Sequence, residues 1–249
     1  MLCFVIKIVG TMIEVHASDF CVYNMCNEFI SENKAYHSII ITSEDIVFER
    51  EKAIREAELE GLPSREYSEA YLETIALQRK ITEILFDHDT LLFHGSVIAV
   101  DGQAYLFTAK SGTGKSTHTR FWREVFGDRA IMVNDDKPFL RITQEGVIAY
   151  GSPWNGKHGL GNNIHVPLKA ICILERGEEN RIQPITPQEA LPMLMQQSQR
   201  PQNRKNLLKY MELVDQLSQK TEFYRMSCNM DPEAAVVAYE AMSGKRKED

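Results

Sequence analysis

The chain has 249 residues, 43% hydrophobic and 25% charged, enough apolar content for a real core in one large domain or two small ones. Its formal net charge of −7 leaves no basic excess to neutralise phosphates, which argues against a nucleic-acid binder. Five scattered cysteines (Cys3, Cys21, Cys26, Cys172, Cys228) form no CxxC pair, so reduced thiols in a cytosolic protein are expected, and Cys21 and Cys26 lack the partners of a zinc site.

The opening stretch MLCFVIKIVGTMI is apolar but holds Lys7 and Gly10, and it is far shorter than the roughly 18 residues of a membrane span. Without a basic lead or a small-residue cleavage site it reads as a strand, not a signal peptide. No other segment reads as a span, so the expected address is the cytoplasm, with no membrane partner. CFVIKIVG and MIEVHA are strand-like, FCVYNMCNEFI is helix-like, and Ser38–Thr42 (SIIIT) is a short buried strand. Ser43 to Gly61 is charge-rich and helical, with Gly61-Leu62-Pro63 as its stop. A second helix begins near Ser68 and places Leu77, Ile81, Ile84 and Leu85 on one face. Residues 1–90 are therefore expected to form an N-terminal α/β layer packed on a core made of residues 91–249.

From Leu91 the pattern changes. TLLFHGSVIAV and QAYLFTA are two strands joined at Asp101-Gly102, a two-residue hairpin signal. His94, within the first of them, is by its position alone an ordinary core or surface residue. Next comes AKSGTGKS, Ala109 to Ser116, between a hydrophobic strand and an amphipathic helix running from about Lys115 to Phe126 and ended by Gly127. That context is the one a phosphate-binding loop requires. Gly112 and Gly114 permit backbone angles that turn successive N–H groups inward, and the helix start adds the positive end of its dipole. The expected nucleotide-binding set is Ser111, Gly112, Thr113, Gly114, Lys115, Ser116 and Thr117, with Lys115 on the β- and γ-phosphates and the Ser116 hydroxyl on Mg²⁺. Ala109, where the pattern opens with glycine, is the single departure. Against the alternative of a turn that only packs a helix on a strand, the lysine, the serine and both inner glycines are present.

AIMVNDD is a buried strand ending in Asp135 and Asp136, and ligands of open α/β sheets lie beyond such strand ends. One carboxylate can hold Mg²⁺ through water. Adjacent side chains in an extended segment point to opposite faces, so the second reaches an acceptor hydroxyl as general base only if the chain turns there. The bland alternative is that one of them caps the KPFLRI turn. PFLRI and VIAYG form a further hairpin. The loop Gly151–Asn163 (GSPWNGKHGLGNN), carrying Trp154, Lys157 and His158, is either a mobile substrate-gripping loop or a long connector. The strand LKAICILE follows. Thr186-Pro187 and Asp231-Pro232 each set a capping residue before a proline at the first helical position, and GKRKED is a solvated tail. Strands, intervening helices and hairpins together predict a mixed α/β sheet.

In order, FHGSVIAVDGQAYLFTAKSGTGKST, IMVNDDKPFL, GSPWNGK and LKAICILE resemble the catalytic domain of bacterial HPr kinase/phosphorylase and its free-standing kinase-like relatives, whose P-loop core is shared with phosphoenolpyruvate carboxykinases. The resemblance covers about a third of the chain, Leu91 to Glu175. It rests on a His-Gly and a hairpin ahead of the loop, paired aspartates on the next strand, and a glycine-containing loop before the LxxIxxLE strand. It implies an ATP- and Mg²⁺-dependent kinase that transfers the γ-phosphoryl group to a hydroxyl, first a serine of a protein or peptide, second a small metabolite. A nucleotide-dependent binding module without transfer is the reading from another class. The resemblance also implies Lys115 and Ser116 as phosphate and metal ligands, Asp135 as general base, Asp136 as metal support, and His94 near the transferred phosphate. Where HPr kinase has a Glu-Ile-Arg-Gly stretch after the aspartates, this chain has PWNGK, and Lys157 is the expected source of positive charge. Neither the first 90 residues nor QNRKNLLKYMELVDQL matches that enzyme, so HPr itself and a reverse phosphorylase reaction are not expected.

Overall fold

Alternating apolar residues build the first sheet. In β1 (Leu2–Ile8) Phe4, Ile6 and Ile8 are buried, and in β2 (Thr11–Ala17) Ile13, Val15 and Ala17 are buried, leaving Cys3, Lys7, Glu14 and His16 on the opposite face. The strands pair antiparallel through Val9 and Gly10, whose φ angles of 49° and 81° are those of a primed hairpin turn. The computed structural model describes residues 1–61, 63, 65–110 and 112–247, in two compact units, Met1–Ile84 and Leu85–Asp249.

In the first unit β3 (His37–Ile40) joins β2 in parallel. Helix α1 (Phe20–Met25) is capped by Asp19 and is shorter than the sequence suggests, because Asn27–Phe29 tightens into a 3₁₀ turn. Helix α2 (Ser43–Glu60) ends at Gly61, while Leu62 of the expected stop lies outside the described residues. Helix α3 spans Glu69–Phe86. Arg79 of α3 donates to Asp45 at 2.7 Å and to Glu49, and Lys80 pairs with Asp45 at 2.6 Å. Burial opposes ionisation of Asp45, yet hydrogen bonds from Lys80, the Thr42 backbone and Arg79 hold its carboxyl down at about 2.

The second unit is a nine-stranded mixed sheet with helices on both faces. Its strands are β4 (Thr90–Leu92), β5 (Ser96–Val100), β6 (Gln103–Thr108), β7 (Ala130–Asn134), β8 (Phe139–Ile142), β9 (Val147–Tyr150), β10 (His165–Arg176), β11 (Arg181–Ile185) and β12 (Glu222–Cys228). The main path runs β4-β8-β9-β10-β6-β5-β7, with β12 also on β10 and β11 on β12. Long β10 joins two regimes. Its first residues pair antiparallel with β9; from Leu168 it runs parallel to β6, with a bulge between Leu168 and Ala170, and from Ala170 also parallel to β12. The carboxyl ends of β6, β10 and β12 therefore lie along one edge.

Because this sheet is covered on both sides, its central strands are apolar in continuous runs; all five residues of β5 are buried. Leu106, Ile171 and Ile173 pack with Leu194 of α5 (Pro187–Gln197) and Leu213 and Leu217 of α6 (Arg204–Lys220). On the other face Tyr105, Phe107 and Cys172 pack with Trp122 of α4 (Lys115–Phe126) and Tyr239 of α7 (Glu233–Ser243). Thr186 closes a capping box with Glu189, and Asp231 accepts from the Glu233 N–H at the head of α7.

TLLFHGSVIAV is two strands and not one. At the break, Phe93 N donates to Pro138 O, His94 N to Gln197 O and Gly95 N to Asp136 O, so partners before β8 and at the end of a helix replace the ladder while the chain leaves β8 for β6 and β7. Strands β11 and β12 add to the helices expected near the C-terminus. In the tail GKRKED, Glu248 and Asp249 lie outside the described residues. No described helix is long and apolar enough to cross a membrane.

Candidate functional site

The glycine-rich loop leaves the end of β6 at Ala109, which is fully buried in the core shared with Phe107 and Phe121, so a methyl group fits where the pattern has glycine. Gly112 and Gly114 have φ of 76° and 121°, backbone that side chains rarely adopt. Gly114 is the N-cap of α4, its carbonyl receiving His118 N at 2.9 Å, so Lys115, Ser116 and Thr117 form the first helical turn. Thr113 donates through both N and Oγ1 to Lys110 O, and Arg176, at the end of β10, donates to Gly112 O at 2.6 Å. Lys115 Nζ lies 3.3 Å from Ala109 O. Burial lowers the pKa of its ammonium, Lys137 adding to the effect while Asp136 and Asp135 oppose it. Ser111 lies outside the described residues.

Asp135 and Asp136 follow β7, and the fully buried Asn134 sets their directions. Its Oδ1 accepts from the N–H of Asp136 at 2.9 Å and of Lys137 at 2.7 Å, an Asx-type turn. Its Nδ2 donates to Ser152 and to Asn155 Oδ1 at 2.7 Å. Asp135 is buried and accepts a hydrogen bond from Ser96 Oγ. Ser96 in turn meets Thr119 Oγ1 at 3.2 Å, and Thr119 bonds the carbonyls of Lys115 and Ser116. This chain of hydroxyls ties β5 and β7 to the first turn of α4.

Asp136 is the accessible member, its side chain 33% exposed. Burial raises its pKa and Asp135 adds to the rise, against Lys137 and Lys115. His94 Nε2 lies 3.4 Å from Asp136 Oδ1. Burial, with Lys137 and Lys115 nearby, lowers the His94 pKa to about 3 against a hydrogen bond donated to Gln197, so the ring is neutral at pH 7 and its approach to Asp136 is not an ion pair. His94, Lys115, Asp135 and Asp136 thus form one cluster.

The loop Gly151–Asn163 is fastened to that cluster's support. Asn162 donates from N to Val133 O and from Nδ2 to Met132 O, and Gly151 N donates to Ile164 O. A Cβ on Gly151 would stand 1.9 Å from Asn162 O, so the close approach itself demands glycine. At Gly156 a Cβ would stand 3.2 Å from the Asp136 Cβ, placing this turn against the aspartates. Lys157, the next residue, is exposed. Beside the glycine loop opens a cleft of about 490 Å³ lined by Gly112, Gly114, Thr117, Arg176 and Asn229, beyond the carboxyl ends of β6, β10 and β12.

Asn134, Ser96 and Thr119 were not legible as site residues. Asn134 and Ser96 adjoin the Asp-Asp and His-Gly pairs in sequence, and only that adjacency hints at them.

A family model described as SynChlorMet cassette protein ScmC matches residues 62–241, well over half of the chain. The chain belongs to the ScmC family. The ScmC match takes in His94, the glycine loop, both aspartates and Lys157, and leaves β1, β2 and β3 outside. No curated protein matches the chain. Among solved structures, the Hpr(Ser) kinase/phosphatase from Coxiella burnetii is similar over 50% of this chain and 93% of that one, at 12% identity and a TM-score of 0.29.

Proposed function

We propose that the chain is an ATP- and Mg²⁺-dependent kinase that transfers the γ-phosphoryl group to a hydroxyl, with a serine of a protein or peptide as acceptor. The observation that carries this reading is the meeting of Lys115, at the start of α4, with the divergent pair Asp135 and Asp136 and the neutral His94. N–H groups of the glycine loop and the start of α4 suit the phosphates, and Lys115 suits the β- and γ-oxygens. The Ser116 hydroxyl and carboxylate oxygens of the aspartate pair form the hard-oxygen donor set that magnesium takes. When bound, the ion would neutralise phosphate charge.

The base is assigned to Asp136 in place of Asp135. Asp135 is buried and committed to Ser96, whereas Asp136 is accessible, has a raised pKa and lies 3.4 Å from His94. In this reading Asp136 takes the acceptor proton, neutral His94 orients it through an N–H, and Asp135 fixes the turn to α4. Lys157, next to the Gly156 turn that lies against Asp136, is the proposed source of positive charge in place of an arginine.

The test is transfer of label from γ-labelled ATP with Mg²⁺ to serine-containing peptides, lysate proteins and hydroxyl metabolites. Asp136→Asn is expected to cut transfer by roughly 10²–10⁴-fold with ATP affinity retained. Lys115→Met should lose both. Absence of transfer to every acceptor class, with ATP still bound, would replace this reading with that of a nucleotide-dependent binding module.

A further inference from the structure

The β1–β2 hairpin carries a cluster that the kinase reading does not use. Cys3 is paired directly with His16 across the antiparallel ladder, and Glu14 lies two residues before His16 on the same face. His16 Nε2 is 4.0 Å from Cys3 Sγ and 2.5 Å from Glu14 Oε1, and the three donor atoms all lie within 4.8 Å of one another. No linear spacing announces this set, because it exists only once the Val9-Gly10 turn fixes the register.

We propose that Cys3, Glu14 and His16 bind a divalent transition metal of the zinc class. The donors are a thiol, an imidazole and a carboxylate, the mixture zinc accepts, and the sulfur disfavours magnesium or calcium. A tetrahedral ion with ordinary zinc bond lengths places sulfur and nitrogen about 3.5 Å apart and nitrogen and oxygen about 3.3 Å apart. The observed separations differ from those by less than 1 Å, in opposite senses, so a small rotation of the Glu14 and Cys3 side chains admits the ion between them. The ring is held by a strand pair and not by a loop, which favours a preset site. Three protein ligands leave a fourth position for water or an external group.

Cobalt(II) is the probe, titrated into the full reduced chain without nucleotide and followed by its visible and near-ultraviolet spectrum. One equivalent is expected to bind with a thiolate-to-cobalt charge-transfer band and to be displaced by zinc(II). Cys3→Ser should abolish the band and His16→Asn should weaken binding at least tenfold, whereas Cys21→Ser should leave the spectrum unchanged. Cys3 is exposed, so its serine variant does not disturb the core. A wild-type chain without the thiolate band, as a simple Glu14–His16 hydrogen bond would give, overturns the proposal. So does a band that survives Cys3→Ser, or cobalt affinity that His16→Asn leaves unchanged.

Discussion

Asp135 and Asp136 are neighbours with opposite circumstances, and Asn134 is the reason. By accepting from two successive N–H groups it turns the chain straight after β7, sending one carboxylate under Ser96 and leaving the other beside His94. Replacing Ser96 by alanine removes the donor to a buried carboxylate, so a loss of about 1–3 kcal/mol in urea-unfolding stability is expected. Label transfer in the kinase assay should fall as well, because the same hydroxyl links Asp135 through Thr119 to the carbonyls behind Lys115 and Ser116. Unchanged stability in this variant would remove Asp135's anchoring role. The lysine, the serine and the aspartates were legible in the sequence because their chemistry is rare at that spacing. Asn134, Ser96 and Thr119 were not, because a buried polar residue is recognised only by the partners the fold brings to it.

At the scale of elements, the strongly patterned pieces were readable: the β5–β6 hairpin, α4 with its preceding loop, and the Thr186-Pro187 start of α5. Strand β12 was not, since its burial does not alternate and its parallel partner β10 is far away in sequence. The loop Gly151–Asn163 left two readings open, and its bonds to β7 make it a fixed support. Gly151→Ala should therefore destabilise the chain by more than an ordinary glycine substitution, with a clear drop in midpoint by thermal unfolding. In the first unit, Arg79 holds Asp45 and Glu49 between α2 and α3 with all three side chains largely buried. Arg79→Ala leaves both carboxylates without this partner, and about 3–5 kcal/mol of unfolding free energy should be lost in a denaturant titration. A loss below 1 kcal/mol would mean that water or Lys80 compensates.

For the molecule as a whole, acid should act in two stages. His118 is buried, its Nε2 accepts from Trp122 Nε1 at 3.1 Å, and burial lowers its pKa to about 3. The unfolded chain binds a proton at about 6.5, so below that pH the unfolded state takes up more protons than the folded one and stability falls with pH. His94 acts in the same sense. From His118 alone the loss reaches about 2 kcal/mol at pH 5. Asp45 contributes later: with its pKa held down at about 2, its stabilisation is intact above the ordinary carboxylate value near 3.8 and disappears as pH falls through about 2. The raised pKa of Asp136 works against the first loss, since its destabilisation at neutral pH is relieved as pH falls towards the ordinary carboxylate value. Calorimetric scans between pH 7 and pH 5 should therefore show a falling transition temperature for the second unit, which contains both histidines, before the Asp45 cluster of the first unit is affected. His118→Gln, which keeps an acceptor for Trp122 and has no proton to gain, should flatten that fall. A wild-type transition equally stable at pH 7 and pH 5 would show that neither ring is held neutral.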